Sequence, residues 1–86
     1  MPYINQERRY EIDNDGLCPQ TPGELNYAIT KLISNYIRAK CNVTGPITYQ
    51  VINDILGALG GAGQEFYRRI VVPYEEKKIK QNGDVY

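Results

Sequence analysis

Eight apolar residues, Val51, Ile52, Ile55, Leu56, Leu59, Ala62, Phe66 and Ile70, recur at helical spacing along one stretch of the chain. A period near 3.6 puts them on one face of an α-helix; a half-buried strand would alternate every second residue instead. The row keeps its phase across Gly57, Gly60, Gly61 and Gly63, although an interior glycine costs about 1 kcal/mol relative to alanine. We read a continuous helix over residues 48–72 with a glycine-rich middle, the glycines admitting a neighbouring backbone at close range. A break at Gly60-Gly61 is the competing reading. A phosphate-cradling loop is a third, but the segment lacks the lysine and Ser/Thr of a P-loop and follows no strand.

Punctuation on either side fixes the rest. Pro73 lacks a backbone donor and crowds the preceding turn, so the helix ends or kinks at Val72 and a new one runs over 73–82. Glu75–Lys78 and Glu76–Lys80 stand at pairing distance along it, and Asn82-Gly83 is a stop. Upstream, Thr21-Pro22-Gly23-Glu24 is a helix start: threonine caps, proline loses no needed donor, and glutamate reaches back. From there Leu25, Ala28, Ile29, Leu32, Ile33, Tyr36 and Ile37 form a second apolar face, predicting a helix over 22–41. Gly45-Pro46 marks a loop, and Thr48 is a candidate cap for the long helix. Residues 1–20 are weakly patterned, with a short helix around Asn5–Glu11 and a turn at Asn14-Asp15-Gly16. Asn42-Val43-Thr44 matches a glycosylation acceptor, read here as chance. The fold class is therefore all-α: a small bundle of three to four helices, in one domain spanning 1–86.

Eighty-six residues bury only about 60–65% of the unfolded surface, so a single chain has a thin stability margin. Cys18 and Cys41 are the two cysteines and histidine is absent, which excludes a four-ligand zinc site. The N-terminus shows no apolar leader, so the thiols are expected to be free in a reducing compartment. Self-association is the remaining route to stability, and a homo-oligomer is expected. The apolar runs are too short to span a membrane. Ten basic and ten acidic residues cancel, which argues against bulk nucleic-acid binding. They are unevenly spread: residues 1–24 carry five acids and two bases, and residues 25–64 three bases and one acid.

Without histidine there is no imidazole base and no Ser-His-Asp or Cys-His pair. No catalytic residue, metal ligand or cofactor is assigned; a small enzyme working through carboxylates, Lys or Tyr is the least favoured reading. Binding chemistry is better supplied. Tyr67, Arg68, Arg69, Tyr74, Lys77 and Lys78 combine fork donors for phosphate or carboxylate with aromatic faces for stacking. Ordinary pairing of Arg68 and Arg69 with Glu65, Glu75 or Glu76 is the plainer account. Eight tyrosines against one phenylalanine also suit half-wet interfaces.

MPYINQERR (1–9), PGELNYAIT (22–30), TYQVINDILGAL (48–59) and EFYRR…PYEEKKIKQNGDVY (65–86) resemble a family of short, uncharacterised proteins of tailed bacteriophages and prophages. That resemblance implies a phage-encoded protein in the host cytoplasm and carries over no catalytic residues. The function expected is a non-enzymatic phage accessory protein binding a host or phage macromolecule. The alternative is a small-ligand binder that sequesters an anionic nucleotide, such as a host defence signal, through the Arg/Tyr site.

Overall fold

The computed structural model describes residues 3–41 and 45–86. The Asn42-Val43-Thr44 match lies outside the described residues. All regular structure among them is helical: α1 (Gln6–Asp15), α2 (Pro22–Cys41), α3 (Tyr49–Phe66), a π turn (Tyr67–Val71) and α4 (Val72–Asn82). The chain is all-α, as its periodicity predicts. It divides into two compact units, Met1–Thr48 and Tyr49–Tyr86.

In the first unit α1 and α2 form a hairpin. Asn5 starts α1 by accepting the Arg8 backbone N–H at 2.8 Å. Gly16 stops it in the left-handed region (φ 66°), and Leu17 N–H returns to the Glu11 carbonyl at 3.3 Å. The helix therefore runs past Glu11, because Asn14-Asp15-Gly16 is its C-terminal cap rather than a separate turn. At the head of α2, Thr21 Oγ1 accepts the Glu24 N–H at 3.1 Å. The Glu24 carboxylate takes the N–H of Gln20, at 2.8 Å, rather than that of Thr21. The donor thus satisfied lies one residue upstream of the capping box expected from the sequence. After α2 ends at Cys41, a Cβ at position 45 would run into the Cys41 carbonyl oxygen, so that bend requires Gly45.

In the second unit α3, the π turn and α4 form one unbroken rod of 34 residues, about 51 Å at 1.5 Å per residue. It passes through all four glycines, as the unbroken apolar phase predicts. Pro73 does not end it. The proline ring would clash with the carbonyl of Arg69, four residues back, and offers it no donor. A wider turn relieves both problems: Val72 N–H donates to the Tyr67 carbonyl, five residues back, and the backbone stays helical through Val71 and Val72. The irregularity expected at Val72–Pro73 is thus spread over the preceding turn. The rod stops at Gly83, whose φ of 87° and ψ of 153° suit glycine alone and whose N–H caps the Ile79 carbonyl at 2.8 Å.

Little is buried. Among the described residues Val51 is the one classed as core, at 8% exposure. On the rod Leu56, Phe66 and Ile70 are 62%, 59% and 58% exposed. The glycines face open space as well: a Cβ at 57, 60, 61 or 63 would meet nothing within 4 Å. The close neighbour those glycines suggested is not found among the described residues.

Candidate functional site

The six residues with binding chemistry fall on the C-terminal half of the rod. Tyr67, Arg68 and Arg69 lie in the π turn, and Tyr74, Lys77 and Lys78 in α4. Arg68 Nη2 donates to both carboxylate oxygens of Glu65, at 2.7 and 2.9 Å, with both side chains well exposed. The plainer salt-bridge account therefore holds for Arg68, with Glu65 and not with Glu75 or Glu76. Arg69 forms no ion pair among the described residues. Nor do the expected Glu75–Lys78 and Glu76–Lys80 pairs close. Lys78 Nζ instead sits 5.6 Å from the centre of the Tyr74 ring. In water an exposed ion pair and an exposed cation–π contact are each worth up to about 1 kcal/mol, so neither geometry is strongly preferred. A groove of about 280 Å³ lies against the C-terminal tail between Glu75, Lys78, Ile79 and Tyr86. Lys78 lines it; the other five do not.

More of the rod's exposed surface is apolar. Phe66, Ile70 and Tyr74 follow one another at four-residue steps. In a plain α-helix each such step drifts about 40° around the axis. A π turn holds more residues and reduces that drift between Phe66 and Tyr74. Charges along the rod are unevenly spread. From Tyr49 to Gln64 there is one, Asp54; from Glu65 to Asn82 there are five bases against three acids.

A second cluster, in the first unit, was not legible as a site. Arg8 Nε pairs with Glu24 Oε1 at 2.8 Å while Arg8 Nη2 donates to the Cys18 carbonyl at 2.9 Å. One arginine thereby ties α1 to the connector and to the head of α2. Tyr27 Oη donates to Asp13 Oδ2 at 2.6 Å, Lys31 Nζ stands 3.8 Å from the same oxygen, and the Arg9 guanidinium lies 5.8 Å from the Tyr27 ring centre. The Gln20 backbone N–H, with Arg8 adding to it, holds the Glu24 carboxyl below its ordinary value; the hydrogen bond to Asp13 pushes the Tyr27 phenol up. Asp13 and Lys31 also line a groove of about 340 Å³ with Ile12, Ala28 and Leu32. These groups neutralise one another, so the cluster reads as the lock of the hairpin. The one hint in the sequence was Glu24, singled out for capping alone. Both thiols are free, Cys18 exposed and Cys41 half-buried. Among the described residues no three acidic, Cys or His side chains are placed to hold a metal, and no helix is long and apolar enough to cross a membrane.

A protein-family model described as a domain of unknown function (DUF6899) matches residues 1–85. No curated protein and no solved structure matches the chain.

Proposed function

The chain belongs to the DUF6899 family, and on that premise we propose that it is a non-enzymatic binding protein whose rod-like helix docks on another protein chain. The observation that carries this reading is the exposed apolar row Ile52, Leu56, Leu59, Phe66, Ile70 and Tyr74. An apolar face of that length on one helix has the form of a helix that lays into a groove or against a second helix. Burying aromatic and aliphatic anchors of this kind supplies most of the energy of an interface. The resemblance of the sequence to short phage proteins supports the setting: a phage accessory protein acting on a host or phage macromolecule in the host cytoplasm.

The test is affinity capture from infected host lysate with the wild-type chain and with Leu56→Asp plus Phe66→Asp. Both substituted side chains are exposed, so the helix should persist by circular dichroism. A stoichiometric partner held by the wild type and lost by the double variant supports the reading. Equal capture by both chains, or none by either, refutes it.

Arg69 favours a second reading, capture of an anionic nucleotide. Its guanidinium has no carboxylate among the described residues and stands between exposed Tyr67 and Tyr74 in sequence. A nucleotide at a hundredfold excess over Kd would stabilise the fold by about 2.7 kcal/mol. Arg69→Ala should erase that thermal shift, and a shift that survives the substitution removes Arg69 from any such site.

A further inference from the structure

We propose that Asn82 is a site of spontaneous deamidation, held closed by the cap that ends α4. The proposal goes beyond the docking reading and does not depend on it.

Asn82 is the one asparagine of the chain that precedes a glycine. Deamidation begins when the backbone nitrogen of the following residue attacks the carbonyl carbon of the asparagine side chain. A side chain on that following residue hinders the approach, and Gly83 has none. Both residues are exposed, and a Cβ at 83 would meet nothing within 4 Å, so water and hydroxide reach the pair. In the step itself the Gly83 nitrogen loses its proton and bonds to Asn82 Cγ. The Cγ–Nδ2 bond breaks, and ammonia leaves with that proton. Water then opens the cyclic imide on one side of its nitrogen or the other. Opening at Cγ gives aspartate. Opening at the Asn82 backbone carbonyl gives isoaspartate, in which the main chain runs through the side chain.

The fold restrains the first step. The Gly83 N–H donates to the Ile79 carbonyl at 2.8 Å, so the attacking nitrogen is held as a donor of the helix end. Asn82 is helical, and ring closure turns its ψ out of that range. The last turn must therefore open before the ring can close, and a helix end opens far more readily than the whole fold. Either product works against that turn. A carboxylate at 82 is a negative charge at the negative end of the helix dipole. It also joins Glu75 and Asp84 on the groove that Lys78 lines. Isoaspartate adds a backbone carbon, which shifts the Gly83 N–H from the Ile79 carbonyl. The modification runs one way, and its effect is to release the end of α4.

The test incubates the full chain in mildly alkaline buffer, native and in denaturing urea, and follows each asparagine by peptide mass spectrometry. In urea, amide loss should be fastest at Asn82. In the native chain it should be several-fold slower at that position. Lys80→Gly weakens the last turn at an exposed position and leaves the Asn-Gly pair intact, so it should bring the native rate toward the rate in urea. Converted chain, separated by its added charge, should show faster amide exchange at Ile79 to Gly83. An Asn82 that stays intact in urea overturns the proposal. So does a native rate equal to the rate in urea, or one that Lys80→Gly does not raise. Exchange unchanged by conversion overturns the release of α4.

Discussion

Two side chains near the start of α2, Glu24 and Tyr27, set the pH response of the first unit. Glu24 has its carboxyl held below the ordinary 4.5, first by the Gln20 N–H and then by Arg8. A depressed carboxyl stabilises the fold above its unfolded value and stops doing so as pH falls through its folded value. Tyr27 is the opposite case: its phenol is raised above 10.0 by Asp13, so its contribution is present below 10.0 and fades as pH climbs through the raised value. Glu24→Gln should therefore lower the melting temperature at neutral pH, and the difference from wild type should shrink as pH falls below 4.5. A gap that stays constant through acid would show that the Arg8–Glu24 contact does not govern it. Tyr27→Phe should remove the alkaline loss that begins above pH 10.0, measured by the same melts. Gly83 makes a backbone prediction. At φ 87° a Cβ is strained, so Gly83→Ala should cost roughly 1–3 kcal/mol and fray the end of α4, visible as faster amide exchange at Ile79 to Asn82.

At the scale of the element, the rod is a helix that tolerates its own breakers. Gly60 and Gly61 have room for a Cβ, so Gly60→Ala with Gly61→Ala should stabilise the helix, by about 1 kcal/mol per site. A loss of stability would mean that a neighbour does press on that backbone. Pro73→Ala removes the clash with the Arg69 carbonyl and restores a donor. It should raise the melting temperature, by up to about 3 kcal/mol of stability, and let a regular turn replace the π turn. The second effect should rotate Tyr74 about the rod axis relative to Phe66, so the same variant should alter the affinity of whatever binds the apolar row. An unchanged affinity would mean that the π turn does not set that face. These elements were legible because their signals are local. The capping box, the apolar period and Asn82-Gly83 each act within one or two turns, and the boundaries at Pro22, Cys41 and Asn82 follow from them. What Pro73 would do was not legible, since a proline can end a helix, kink it or widen the turn before it, and the rest of the rod decides among these.

At the scale of the molecule, the balance of buried and exposed surface governs behaviour. With Val51 as the one described residue in the core class, a single chain keeps much of its apolar surface in water. Self-association, expected from the thin stability margin of so short a chain, would couple stability to concentration, so the melting temperature should rise with each tenfold increase in protein. A melting temperature independent of concentration would place the stability wholly within one chain. The candidate site was legible only in part. Tyr67, Arg68, Arg69, Tyr74, Lys77 and Lys78 were identified by residue type, and all lie on one helical segment. Their partners were not: Glu65 takes Arg68, and the Tyr74 ring takes Lys78, because exposed charges choose among near-equal contacts that no short motif distinguishes.

The sequence by itself determined the helical class and the limits at Pro22, Cys41 and Asn82, because caps, stop signals and the 3.6-residue period are read within a few residues of where they act. Only the tertiary structure decided that Arg8 and Tyr27 lock the hairpin, since those contacts join residues distant in sequence. It alone decided that the proline is absorbed by a π turn over Tyr67–Val71, because that outcome depends on the free energy of the whole rod. Around that turn Phe66, Ile70 and Tyr74 stay exposed.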